Sequence, residues 1–217
     1  MKKYILIQLG LTIIIVFFLF SCTIPKTYIT AAATTEYVSI IDTASLTTAK
    51  IENSTDTINT ENLSKKTEFI NRVNEFSQFI LDFQNATQRI TKDIVDLDKK
   101  RVEAYQAKDS EKVKSYIQEE IKKIDVVINN LSNIYVPTIA KDFYNYELDY
   151  YTKWKQWNEY LLSISNNWFV PGATIDNSLR DEAYAIDKKA NKELEQTGKE
   201  FNQEAGELGL PEPFPYY

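Results

Sequence analysis

Histidine is absent from the 217 residues, and cysteine occurs once, at position 22. The first absence removes Ser-His-Asp and Cys-His nucleophilic sites, histidine-ligated zinc and the Glu-x-x-His pattern of di-iron bundles. The second removes disulfides within the chain, since a lone thiol has no partner there. No basic run is visible, and 31 acidic side chains outnumber 25 basic ones, for a formal charge of −6. A chain of that balance is a poor ligand for phosphate backbones, so nucleic acid is not expected as a partner. Beyond residue 66 there is no apolar and polar alternation of useful length, which leaves no candidate strands there. Calcium-loop chemistry is missing too: Asp96-Leu97-Asp98 has neither the glycine nor the later glutamate that such a loop uses. No metal, no cofactor and no catalytic residue is expected, and the chain reads as non-enzymatic.

What is present starts at the N-terminus. Met1-Lys2-Lys3-Tyr4 is cationic, residues 5 to 20 form an apolar run weakened by Gln8 and Gly10, and Leu19-Phe20-Ser21-Cys22 closes it. The run is shorter than the ~20 residues of a spanning helix and suits a secretory signal. These residues resemble the lipobox of bacterial lipoprotein precursors, with Leu19 three places before the cysteine, the small Ser21 just before it and Cys22 as lipid acceptor. The resemblance implies a signal peptide over residues 1 to 21, a diacylglyceryl thioether on Cys22, and a mature protein at the extracytoplasmic face of the cell membrane. Each buried methylene of a palmitate-like chain contributes about 0.8 kcal/mol, so two chains hold stably without a transmembrane helix.

Residues 22 to 66 differ in texture from the remainder of the chain. Eleven threonines with scattered serines and asparagines show no sustained period, and the segment reads as a disordered tether. As a flexible coil it would span roughly 35 to 40 Å. A short strand at residues 36 to 41 is the rival reading of part of it.

Residues 67 to 217 read as one all-α domain. Phe69, Val73, Phe76, Ile80, Phe83, Thr87, Ile90, Ile94 and Leu97 recur at alternating spacings of four and three, a heptad stripe that only a helix brings to one face. Arg101 and Ala104 continue that frame to about residue 107. Asp109 or Ser110 is placed to cap a second helix carrying Val113, Ile117, Ile121, Ile124, Ile128, Leu131 and Tyr135. Pro137 precedes a third, aromatic helix with Ile139, Phe143, Tyr146, Tyr150, Trp154, Trp157, Leu161, Ile164 and Trp168 on its seam. Pro171-Gly172 marks a turn, and Ser178 with Asp181 and Glu182 resembles a capping box for a fourth helix. That helix carries Leu179, Ala183, Ile186, Ala190, Leu194, Thr197, Phe201, Ala205 and Leu208, and ends at Gly209 and Pro211. Short joints predict an antiparallel up-down-up-down four-helix bundle with coiled-coil-like heptad packing. The second helix is too short to cover residues 64 to 80, so the C-terminal residues 210 to 217 are expected to pack there as an extended strap.

Candidate sites are few. Most of the ten aromatics between residues 143 and 169 lie on the expected core seam. Tyr144, Tyr151, Tyr160 and Phe169 fall off it, and these four are the candidate partner-binding residues, for an envelope protein or a cell-wall glycan. The joint at residues 168 to 172 is a second candidate contact, at the end farthest from the membrane. Glu119-Glu120, Glu147 with Asp149, and Asp181-Glu182 read as solvated surface. The expected function is that of a membrane-anchored exported lipoprotein with a helical interaction domain. The alternative is a small-ligand or signal-sensing module, for which the polar Thr87 and Thr197 on apolar seams are the features to probe.

Overall fold

A computed structural model describes residues 57–215. The expected signal segment, Cys22 and the stretch at residues 36 to 41 lie outside the described residues. Four helices succeed one another: α1 (Thr57–Gln106), α2 (Ser110–Leu131), α3 (Lys141–Ser163) and α4 (Ser178–Glu207). Short 3-10 turns at Thr138–Ala140 and Ser165–Asn167 precede α3 and the α3–α4 joint. Among the described residues there is no strand, and the helices pack against each other as α1 with α2, α2 with α3 and α3 with α4. No helix among the described residues is long and apolar enough to cross a membrane.

The α1 stripe is buried as its spacing requires: Phe69, Val73, Phe76, Ile80, Phe83, Thr87, Ile94 and Leu97 are enclosed, and Ile90 is partly so. Phe79 and Ala86 widen it. The helix begins at Thr57, inside the stretch read as tether. Those first turns have no apolar stripe to reveal them. A nucleus already formed downstream lets a helix extend at little cost, helped here by the Glu61–Lys65 ion pair at 2.8 Å and the bond from the Thr67 hydroxyl to the Leu63 carbonyl at 2.9 Å.

The α1–α2 turn closes by backbone bonds from Lys108 to Tyr105 and from Asp109 to Ala104, with Lys108 at φ 56°. Asp109 is the cap of α2, its carboxylate accepting from the Lys112 N–H at 3.1 Å. At α4 the expected capping box is not made. Ser178 is instead the donor, its N–H bonded to the Asp176 carboxylate at 2.9 Å, and Asn177 occupies the cap position without a side-chain capping bond. An aspartate two residues ahead of an N–H forms an Asx turn, which competes with capping for the same donors.

Two seams run differently from their expected lines. On α2 the buried positions are Val113, Ile117, Glu120, Ile124, Val127 and Leu131. Ile121 and Ile128 are half-buried at the edge, and Tyr135 lies past the helix end, 69% exposed. On α3 the enclosed residues are Phe143, Glu147, Tyr151, Trp154, Trp157, Asn158 and Leu161, while Tyr146 and Tyr150 are only partly covered. Hydrophobicity alone points to the neighbour in each case, because an inward carboxylate cannot be told from an outward one until its partners are known.

At the opposite end from the α1–α2 turn, α4 and the tail cover the start of the α1 stripe. The Phe201 ring lies 6.0 Å from that of Phe69 and 5.4 Å from that of Phe76. Phe214 reaches both Phe76 and Phe201 at 5.6 and 5.5 Å, and is itself buried. Asn202 clips the tail backbone twice, accepting from the Phe214 N–H at 2.9 Å and donating to its carbonyl at 2.6 Å. Arg72 of α1 also pairs with Glu204 of α4.

Candidate functional site

One level of the bundle interior is polar. Arg101 from α1, Glu120 from α2 and Asn158 from α3 are all buried there, Glu120 and Asn158 completely. Spacing puts each of them inside. Arg101 comes one turn after Leu97, Glu120 stands between Ile117 and Ile124, and Asn158 lies four residues past Trp154 and three before Leu161. The Arg101 Nε donates to a Glu120 carboxylate oxygen at 3.1 Å, and its Nη2 pairs with Asp98 one turn back. Its guanidinium also lies 5.1 Å from the Trp157 ring centre, a cation–π contact. Arg180 of α4 approaches the same ring at 6.0 Å, so all four helices meet at this level.

The electrostatics are set by enclosure. Burial raises the Glu120 carboxyl to about 7, against a pull downward from the Arg101 charge; Asp98 pushes it up again, and bonds from Arg101 and Asn158 lower it. Burial also works against the charge on Arg101, but Glu120 and Asp98 overcome it and hold the guanidinium above its ordinary value. Arg101 is thus a permanent cation shared by two carboxyl groups, of which Glu120 is the one that titrates near neutrality. The second Glu120 oxygen, the Asn158 carbonyl oxygen and the indole N–H groups of Trp154 and Trp157 have no protein hydrogen-bond partner among the described residues. The Asn158 amide donates to the Trp154 carbonyl at 3.1 Å.

Nearer the start of α3 lies a second polar group of residues, around Glu147. Glu147 is fully enclosed, and Tyr150 and Tyr151 stack edge to face at 4.9 Å. Burial first, then the neighbouring Tyr151, Asp187, Glu147 and Tyr184, hold the Tyr150 phenol un-ionised well past its ordinary range. Glu120 and Glu147 were both expected on the solvated surface, and both belong to the interior. The missed signal is positional. Glu120 completes the spacing of three and four between Ile117 and Ile124, and Arg101 continues the α1 stripe, one opposite charge on each side of a tight turn.

The four aromatics outside the expected seam do not form one surface. Tyr151 is a core residue, 3% exposed, its hydroxyl 3.0 Å from that of Thr91, so it is not placed to meet a partner. Tyr144 is half-buried and donates to the Leu131 carbonyl at 3.2 Å. Tyr160, also half-buried, accepts from the Asp176 N–H at 3.1 Å and thereby ties the joint to α3. Phe169 is half-buried against Tyr105, ring centres 5.0 Å apart. The Tyr105 hydroxyl donates to the Trp168 carbonyl at 2.9 Å, so the end of α1 is bolted to the α3–α4 joint. Val170 stands out beside this bolt, 51% exposed, while Trp168 is buried beneath it.

Surface hollows are shallow and single-sided. One runs along α1 past Leu63, Thr67 and Asn71, and another along α2 past Gln118, Lys122 and Val126. Among the described residues no group of three or more cysteine, aspartate or glutamate side chains could hold a metal ion. No protein-family model matches the chain, and comparison with curated proteins and with solved structures gives no match.

Proposed function

We propose that the protein is an exported lipoprotein, held at the extracytoplasmic face of the cell membrane by lipid on Cys22, whose helical domain binds an envelope protein or a cell-wall component without catalysing a reaction. The observation that carries this reading is the N-terminal sequence, a cationic start and a short apolar run closed by Leu19-Phe20-Ser21-Cys22. The architecture we infer is an up-down-up-down bundle with coiled-coil-like packing. In support, contacts run in opposite order along neighbours: Asp93 meets Lys123 and Arg101 meets Glu120, Asp125 meets Lys155 and Leu131 meets Tyr144, Lys153 meets Glu182 and Tyr160 meets Asp176.

In that arrangement the lipid end and the α1–α2 turn are at opposite poles, and the pole away from the membrane carries Tyr105, Phe169 and Val170. An apolar tip held rigid by the Tyr105–Trp168 bond suits a partner contact better than the dispersed tyrosines of α3. The sensing alternative has less support. The Thr87 hydroxyl, on which that reading draws together with Thr197, is spent on the Phe83 carbonyl at 2.9 Å.

Two measurements test the reading. Metabolic labelling with a fatty-acid probe should mark the wild type and not Cys22→Ser; label kept by the variant rejects the lipid anchor. A photo-crosslinking residue at position 170 should capture one envelope component in cells. Equal capture from an exposed site on the side of the bundle, such as position 135, rejects the tip as the contact.

A further inference from the structure

We propose that Glu120 is a proton-operated pin of the bundle, and that its ionisation loosens the four-helix junction and the α3–α4 joint bolted to it. The inference stands on the fold and is independent of how the molecule is anchored. The protonated carboxyl leaves Arg101 and Asp98 as a balanced pair, with one Glu120 oxygen accepting from the Arg101 Nε at 3.1 Å. Once ionised, Glu120 adds a second negative charge against a single cation, and its other oxygen has no protein donor within bonding distance. A buried acceptor in that condition is costly.

None of the four packed helices supplies a second cation for it. On α1 the charged neighbours are Arg101, already divided, and Asp98, which has the wrong sign. On α2 itself, Lys123 is engaged outward with Asp93 at 2.8 Å. On α3, Asn158 is uncharged and gives one amide hydrogen to the Trp154 carbonyl, its pull on Glu120 being weaker than that of burial, and Lys155 is paired with Asp125 at 2.7 Å. On α4, Arg180 faces the Trp157 ring and holds Asp181 at 2.9 Å. Relief comes from admitting water or from drawing Arg101 away from Trp157. Tyr105 lies one turn beyond Arg101 on the same helix, so that movement is transmitted to its bond with Trp168 and its stack on Phe169. The acidity supports the geometry, since the carboxyl is raised from its ordinary 4.5 to about 7. A group whose folded value is raised lends stability in full below its unfolded value, and that stability fades as pH climbs through the folded one.

The test uses the full chain in detergent, comparing wild type with Glu120→Gln. Thermal unfolding of the wild type should lose several degrees between about pH 5.5 and pH 8.5, with amide exchange over residues 164–177 speeding beyond its intrinsic pH dependence. Glu120→Gln should flatten both responses in that window. A wild type with no such fall, or a variant that keeps the same fall, overturns the proposal. Should the variant fail to fold, carboxyl NMR of the wild type with labelled glutamate decides. One resonance titrating near neutrality supports the pin, and none above about 5.5 overturns it.

Discussion

Lys108 and Gly209 occupy equivalent places in two helix ends. Each has a positive φ, 56° and 65°, and each is bracketed by the same pair of backbone bonds, from Asp109 to Ala104 at one end and from Leu210 to Ala205 at the other. A side chain in that conformation costs about 1 to 2 kcal/mol, which glycine avoids. Lys108→Gly should therefore stabilise the fold by up to about 1 kcal/mol, and Gly209→Ala should destabilise it by a similar amount, as read by denaturant midpoints at unchanged slope. No contact enters either argument, since a Cβ at position 209 would meet nothing within 4 Å. The Arg101 site works the other way, through contacts. Arg101→Ala would strand Glu120 and Asp98 around an empty charge position and cost about 3 to 5 kcal/mol at pH 8. At pH 5.5, where Glu120 carries its proton, the loss should be smaller; equal losses at the two pH values would contradict the assigned protonation.

At the scale of elements, the tail matters more than its length suggests. Phe214 closes a cluster with Phe76 and Phe201, and its backbone is clipped by Asn202, so residues 210–215 act as a cover for the start of α1. Phe214→Ala should cost about 3 to 5 kcal/mol, the range for removing a buried ring, and deleting the tail should lower the melting temperature by several degrees. Asn202→Ala should give a smaller loss, about 1 to 3 kcal/mol, because two partly buried backbone groups would be left to water. Amide exchange at Phe214 would report the difference between clip and ring. The helices themselves were legible in the sequence. The α1 stripe needs only periodicity, and Asp109 announces the start of α2. What periodicity could not reveal was which polar residues share the seam. Glu120 is inside because its partner Arg101 is on another helix, and a one-dimensional pattern carries no information about partners. For the same reason Tyr151 reads as outward until Thr91 is seen opposite it, and the early part of α1 stays hidden because residues 61 to 65 are all exposed.

For the whole molecule, the proposed anchor and the bundle would together make a lever. The 50 residues of α1 extend about 75 Å at 1.5 Å per residue, long enough to put the Tyr105 tip far from any surface that holds Thr57. The proposed export would place the domain outside the buffered cytoplasm, where a carboxyl that titrates near neutrality would feel the surrounding medium directly, and the tip proposed to respond to Glu120 is also the part proposed to meet a partner. Among the described residues every aromatic contact runs between residues 69 and 214. Protease applied to intact cells should accordingly cut between residues 23 and 56 and shed a fragment that keeps its helical circular dichroism and melts within about 2 °C of the full chain. Cys22→Ser should leave nothing on the cells to shed, with the protein found in the medium instead. Shedding of pieces cut inside α1 to α4 would mean that the domain is not the stable unit, and resistance of the wild type in intact cells, with cleavage only after lysis, would place it on the other side of the membrane.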